Sequence, residues 1–456
     1  ASYEFMAALT LIIVGKYFLP VFINKGIYTI PEFVEKRFST SLRTILAVFW
    51  IALFIFVNLT SVLFLGAKAI DMIVGFGDGA LMLPVIILLA FVAAAYSIYG
   101  GLSAVAWTDV IQVVLLIIGG VLTTLFALDK VTDGGIIDGL RHVWEQAPEK
   151  FSMILSKDNP EFSNLPGIAV LIGGLWVANL YYWGFNQYII QRTLAAKSLP
   201  EAQKGIVFAG FLKLIIPLIV VIPGIVAYVM YTEIFPGTEV FNGTGGGDKA
   251  YPWLISTLVP VGLKGLVVAA LFAAIVSSLA SMLNSTSTIF TMDIFRHYVD
   301  KKASHGKLVT VGRVTSLVAL LIACLLAPAM RNFDQMFIYI QEYTGLVSPG
   351  ILAIFLMGLF WKKTTNRAAI IGALVSIPVA LALKLLPIEM PFMDQMMYTC
   401  LITVATIVLV SLNSSKGADD EKGIVFTDGM FKTPRSFNVS AYIVCILLAA
   451  IYVIFW

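Results

Sequence analysis

Apolar runs of roughly eighteen residues or more recur from one end of the chain to the other, separated by shorter polar intervals. At about 1.5 Å per helical residue, such a run crosses a hydrocarbon core of about 30 Å. The pattern therefore predicts helices that span a membrane, not strands of alternating polarity. Roughly twelve are expected by hydropathy, near 5–23, 45–73, 80–99, 105–127, 167–190, 205–231, 264–294, 308–329, 335–360, 369–387, 396–412 and 437–456.

Two of these runs are interrupted. "PGIAVLIGGLWVANLYYWGFNQ" holds Gly173 and Gly174 near its middle, and "YTGLVSPGILA" holds Pro349. Membrane helices use such residues for close packing, or to unwind where backbone carbonyls face a ligand. A third run, "AAIVSSLASMLNSTST" at 273–288, collects serines, threonines and an asparagine inside an apolar helix.

Composition agrees with a membrane protein. Only 12% of the residues are charged, against about 25% in soluble domains. The intervals "NKGIYTIPEFVEKRFSTSLRT", "QRTLAAKSLPEAQK", "FRHYVDKKASHGK", "WKKTTNR" and "NSSKGADDEKGIVFTDGMFKTPRSF" are basic and are expected to face the cytoplasm. That assignment puts the C-terminus outside. The organisation expected is a transporter core over 1–411, a cytoplasmic loop over 412–436 and a final spanning helix over 437–456. The Gly-rich "GTGGGDKA" at 243–250 is expected to be mobile, and Asn242 and Thr244 form a sequon-like triplet. The chain opens on Ala1, with a span beginning almost at once, and is expected to lack N-terminal helices.

Cys324, Cys400 and Cys445 fall inside apolar spans, and His142, His297 and His305 fall in loops. This is not the spacing of a metal centre or a disulfide framework, so an enzyme is not expected. Chemistry is sought instead in polar groups at membrane depth, where a charge costs about 2.5–3.5 kcal/mol on insertion scales. Glu4, Asp109, Asn179, Lys249, Gln341 and Glu342 are candidates. An ion pair between Glu4 and Lys249 is geometrically possible, while Lys16 and Lys213 are expected to snorkel to the inner interface. On a helix, Ser277, Ser281 and Ser285 share a face, and the Ala274 carbonyl lies one turn before the Ser277 and Ser278 hydroxyls. That carbonyl and two hydroxyls supply about half the shell of a hard cation; the same residues also suit close helix packing. The aromatic cluster "LYYWGFNQY" reads either as an interfacial belt or as a stacking surface, centred on Tyr182, for a ring-shaped solute.

Longer motifs narrow the reading. "YSIYGGLSAVAWTDVIQ" (96–112) and "GLFWKKTTNRAAIIGALVS" (358–376) resemble the two signatures of the sodium/solute symporter family. "IPEFVEKRF", "VANLYYWGFNQYIIQRTLAAKS", "AAIVSSLASMLNSTSTIFTMDI" and "YIQEYTGLVSPGILA" are similar to its sugar-carrying members. The resemblance implies an all-α, leucine-transporter-like bundle of two inverted five-helix repeats. It implies sodium-coupled symport of a monosaccharide of the galactose/glucose type across a bacterial inner membrane by alternating access. It places sodium at Ala274, Ser277 and Ser278, with Asp109 on the ion's exit route. It places sugar contacts at Glu4, Asn179, Lys249 and Gln341, with Tyr182 as the inner gate and Tyr3 and Phe337 closing the outer side. Ala7 stands where sugar-carrying members have a serine, so one hydroxyl contact is expected to be lost. The alternatives are a symporter of the same family for an amino acid, carboxylate or vitamin, a channel, or a transporter-like sensor.

Overall fold

The computed structural model describes all residues except 28, 76–78, 237–240, 242–245, 334, 387–389 and 416, with 99–106 and 415 described by backbone alone. The sequon-like Asn242 to Thr244, with Gly245 of the Gly-rich stretch, lies outside the described residues.

The regular elements are helices. In chain order those named below are α1 (Ser2–Asn24), α2 (Ile30–Arg37), α3 (Thr40–Val74), α4 (Met82–Asp129), α5 (Gly174–Phe185), α6 (Gln187–Leu194) and α7 (Leu199–Ile234), with a further helix at Ile136–Gln146 between α4 and α5. They continue with α8 (Ala250–Leu258), α9 (Val261–Val299), α10 (His305–Asn332), α11 (Met336–Phe360), α12 (Asn366–Leu385), α13 (Phe392–Ser414) and α14 (Arg435–Ile454). Ten helices among the described residues are long and apolar enough to cross a membrane, and Met82–Ile98 forms a shorter apolar stretch.

Three local outcomes differ from the hydropathy pattern. The spans expected at 80–99 and 105–127 run on as the single helix α4, whose sequence carries neither a proline after Pro84 nor a charge before Asp109. The run at 167–190 is not one span: a short turn, Ala169–Ile172, ends at Gly173, and α5 and α6 meet at an extended Asn186. Gly174 is there because its neighbour comes close. A Cβ at that position would stand 1.9 Å from the Met393 carbonyl oxygen. The break expected at Pro349 does not occur, and α11 passes through it without interruption, as membrane helices tolerate when neighbours re-satisfy the freed carbonyl.

The chain forms two compact units. The first comprises 1–50, 153–214 and 341–456, and the second 51–152 and 215–340. In the first unit α1 packs on α5 and α14, and α13 packs on α12 and α5. Its centre is aromatic. Phe18 stacks on Phe185 at 4.9 Å, Phe185 lies 4.6 Å from Phe355, and Phe355 stacks on Phe33 at 5.1 Å between ring centroids. All four rings are buried, and offset pairs of this kind stabilise by about 0.5–1.5 kcal/mol beyond their area. Widened π turns free carbonyls for other partners. In the Val14–Phe18 turn the Gly15 carbonyl accepts from Gln203 Nε2 at 3.0 Å.

The basic interval before α3 is anchored in the same unit. Thr29 caps α2 through its hydroxyl, which accepts from the Glu32 N–H at 3.2 Å, with Pro31 in the first turn. At the helix's other end the buried Arg37 guanidinium donates to the carbonyls of Gly358 (2.9 Å) and Thr364 (2.9 Å) and to the Asp420 carboxylate (3.2 Å). Burial lowers the Arg37 pKa, and the facing Asp420 charge partly restores it.

In the second unit α9 packs along α4 and also touches α3 and α10. One apolar cluster gathers Val143, Val226, Met230, Trp253 and Leu254, and a second gathers Ile73, Ile255, Val259 and Val267.

Candidate functional site

The polar candidates of the first unit meet where α1, α5, α7 and α11 supply them. Glu4 stands in the first turn of α1. Its carboxylate accepts a hydrogen bond from Lys213 Nζ on α7 at 2.6 Å. Lys213 therefore does not snorkel to an interface, and Glu4 takes Lys213, not Lys249, as its ion-pair partner. The reason is depth. Lys213 lies fourteen residues into α7, about 21 Å along its axis, where a carboxylate is nearer than bulk water. The ammonium also sits 4.7 Å over the Trp183 ring. Trp183 Nε1 donates to Asn179 Oδ1 at 3.3 Å, and Asn179 Nδ2 donates to the Leu175 carbonyl at 3.0 Å. Glu4, Lys213, Trp183 and Asn179 thus form one connected polar chain. Sequence reasoning missed Lys213 and Trp183 as members of it. A lone lysine in an apolar helix was the available signal, and its partner is more than two hundred residues away in sequence.

Tyr3 and Gln341 share a side-chain hydrogen bond beside this chain. Glu342 faces the other way, pairing with Lys384 Nζ at 3.2 Å. The Tyr182 and Tyr188 hydroxyls bond at 2.8 Å, with their rings edge-on at 6.0 Å. Ala7 is buried.

The second unit holds the remaining candidates. On α9, Ser277 is buried and its hydroxyl donates to Asp109 on α4. Ser281 donates to the Ser277 carbonyl at 2.9 Å. That bond lies within α9, one turn back along the same helix. Ser278 is exposed and Ala274 half-buried, so the three sodium candidates lie on adjacent positions of one helix, with the Asp109 carboxylate against the first hydroxyl. Neutral hydroxyl and carbonyl oxygens are the ligand type a hard cation takes. Lys249 ends a short turn ahead of α8. Its neighbour Asp248 accepts from Lys68 Nζ at 3.3 Å and from the Met336 N–H at 3.4 Å. Phe337 is half exposed.

Comparison with known proteins places this arrangement. The profile of the sodium:solute symporter family matches residues 1–376. The sodium/glucose cotransporter of Vibrio parahaemolyticus is 61% identical over all of this chain and 84% of its own length. Sodium/glucose cotransporter 4 of Danio rerio is 35% identical over 83% of this chain and 60% of its own length. Sodium/myo-inositol cotransporter 2 of Homo sapiens is 34% identical over 82% and 57%. Among solved structures, the substrate-bound outward-open state of a Na+-coupled sialic acid symporter superposes with a TM-score of 0.76 at 24% identity, over 92% of this chain and 84% of that one. The fold is accordingly the leucine-transporter-like helical bundle expected from the motifs. The protein is a multi-pass membrane transporter and not an enzyme, with Na+ as its coupling ion. The chain belongs to the sodium:solute symporter family.

Proposed function

We propose that this protein couples sodium entry to uptake of a monosaccharide of the galactose/glucose type by alternating access. The observation that carries the reading is the polar chain of Glu4, Lys213, Trp183 and Asn179 beside Tyr3 and Gln341. It offers carboxylate and amide acceptors, ammonium and amide donors and two aromatic faces, the mixture that a sugar's hydroxyls and apolar ring face require. Lys213 is already held by Glu4, which makes it a weaker partner for the carboxylate of an acidic solute. The names of the sodium/glucose relatives support the same solute class.

In this reading Glu4, Asn179, Lys249 and Gln341 contact the sugar, Tyr182 is the inner gate, and Tyr3 and Phe337 close the outer side. Ala274, Ser277 and Ser278 hold sodium, which leaves toward Asp109. Bound sodium steadies the sugar site, and by reciprocity the sugar raises sodium affinity. One charge crossing 100 mV yields about 2.3 kcal/mol, and a tenfold gradient adds roughly 1.4. Together they support accumulation of several hundredfold. Residues 1–411 form the transport core and 412–436 a cytoplasmic loop. The final helix leaves the C-terminus outside a bacterial inner membrane, as the basic intervals require.

The test is uptake of labelled galactose into proteoliposomes with sodium, potassium or choline outside and glucose or myo-inositol as competitors. Uptake that needs sodium and is blocked by glucose supports the reading. Sodium-driven uptake blocked by myo-inositol alone shifts the solute to a cyclitol, as the myo-inositol relatives would favour. Conductance without coupling makes it a channel, and sodium binding without transport makes it a sensor.

A further inference from the structure

A cavity of about 470 Å³ opens in the second unit among α4, α9 and α10, well along α9 from Ser277. Its volume is that of a small-ligand pocket. Its lining includes Arg296, His305 and Arg313 and contains no carboxylate. The three basic groups are exposed, and none is in an ion pair among the described residues, where the neighbouring pair is Lys307 with Asp300. Deeper in the cavity, Asn284 accepts from the Ser97 hydroxyl at 2.7 Å but leaves its Nδ2 donor unpaired. Thr291, only 5% exposed, has a hydroxyl with no partner. Gly312 keeps the space open, since a Cβ there would stand 2.7 Å from Ser287 Oγ. The first turn of α10 also faces the cavity through His305 and Leu308, adding the positive end of a long helix.

Unpaired donors, two guanidiniums, a helix N-terminus and no competing acid are the recognition chemistry of a phosphate. We propose that this cavity binds the phosphate of an anionic phospholipid headgroup. Two features favour a lipid over a free ion. Helix α9 is 39 residues long, about 58 Å, so its Arg296 end lies beyond a hydrocarbon core of about 30 Å. From the cavity wall an apolar stripe of Val309, Val314, Leu317, Val318 and Leu321 then runs exposed down α10, where acyl chains can lie. The inference does not rest on the transported solute.

The experiment is native mass spectrometry and thermal unfolding of the purified protein in neutral detergent. It is titrated with phosphatidylglycerol, phosphatidylcholine or inorganic phosphate. Phosphatidylglycerol is expected to be retained and to raise the unfolding temperature, while phosphatidylcholine is not. R296Q/R313Q is expected to weaken phosphatidylglycerol binding about thirtyfold, and R296K/R313K to restore most of it. T291V, an isosteric change, is expected to weaken binding about fivefold with the fold intact, which keeps the test decisive if the double variant does not fold. Equal retention of both lipids overturns the proposal, as does undiminished binding by T291V together with R296Q/R313Q. Stabilisation by inorganic phosphate alone overturns the lipid assignment.

Discussion

Lys213 Nζ lies 2.6 Å from the Glu4 carboxylate and 4.7 Å above the Trp183 ring, joining α1, α5 and α7 through one cation. Glu4→Gln leaves that ammonium without its counter-charge and is expected to cost about 1–3 kcal/mol of stability, read as a lower unfolding temperature in detergent. The double variant E4Q/K213M removes both charges and is expected to recover most of the loss. Equal instability of single and double variants would show that the pair is not coupled. In uptake assays E4Q is also expected to raise the sugar KM about tenfold, one hydrogen-bonding contact to a charged group.

The contact between Ser277 and Asp109 separates two serines that sequence treats alike. Ser278 is exposed while Ser277 is buried against the carboxylate. Ser278→Ala is therefore expected to leave the unfolding temperature unchanged and raise the half-saturating sodium concentration about tenfold, one ligand's loss. Ser277→Ala is expected to raise the half-saturating sodium concentration likewise but also to cost about 1 kcal/mol of stability, read as a lower unfolding temperature. Unchanged sodium activation in S278A would remove that residue from the ion site.

What the sequence revealed and what it hid follow from range. Hydropathy is local, so the long helices could be read directly, and so could the Gly173 interruption. The contact that demands glycine beside it could not: the Met393 carbonyl that approaches Gly174 belongs to α13, over two hundred residues on. Pro349 misled in the opposite direction, because proline predicts a break only where no neighbour supports the freed carbonyl. Asp109 and Ser277 were each visible as polar residues in apolar helices, but their contact was not. Lys213 read as a snorkelling lysine because its depth on α7 and the position of Glu4 are tertiary facts. Arg37 carried no signal beyond a basic interval, although it makes the densest set of side-chain hydrogen bonds described above.

Tyr188 holds Tyr182 by a 2.8 Å hydroxyl bond. If Tyr182 gates the inner side, Tyr188→Phe loosens the gate by about one neutral hydrogen bond. Efflux of labelled sugar from loaded proteoliposomes is then expected to speed up about fivefold, with sodium affinity unchanged. Unaltered efflux would take Tyr182 out of the gating role.

Arg37 ties α2 to the 358–364 turn and to Asp420. Arg37→Ala strands several buried carbonyls and the Asp420 charge together, and a loss of about 3–5 kcal/mol is expected. Asp420→Asn keeps an acceptor at the exposed side of the pair and is expected to cost about 1 kcal/mol. Thermal unfolding of both variants checks the ranking. A mild R37A would mean that water replaces the guanidinium.

Two glycines on helices of the first unit make opposite predictions for the same substitution. At Gly174 a Cβ would stand 1.9 Å from the Met393 carbonyl oxygen, whereas nothing lies within 4 Å of a Cβ at Gly205. Backbone cannot yield as a side-chain tip can, so Gly174→Ala must push α5 away from α13. That displacement disturbs the Asn179 and Trp183 positions along with stability. An expected cost above about 2 kcal/mol should appear both as a lower unfolding temperature and as reduced uptake. Gly205→Ala only replaces a flexible helical residue with a better helix former and is expected to stabilise by about 0.5–1 kcal/mol, with uptake unchanged. If G174A unfolds at the wild-type temperature, the close contact of α5 with α13 does not constrain this position.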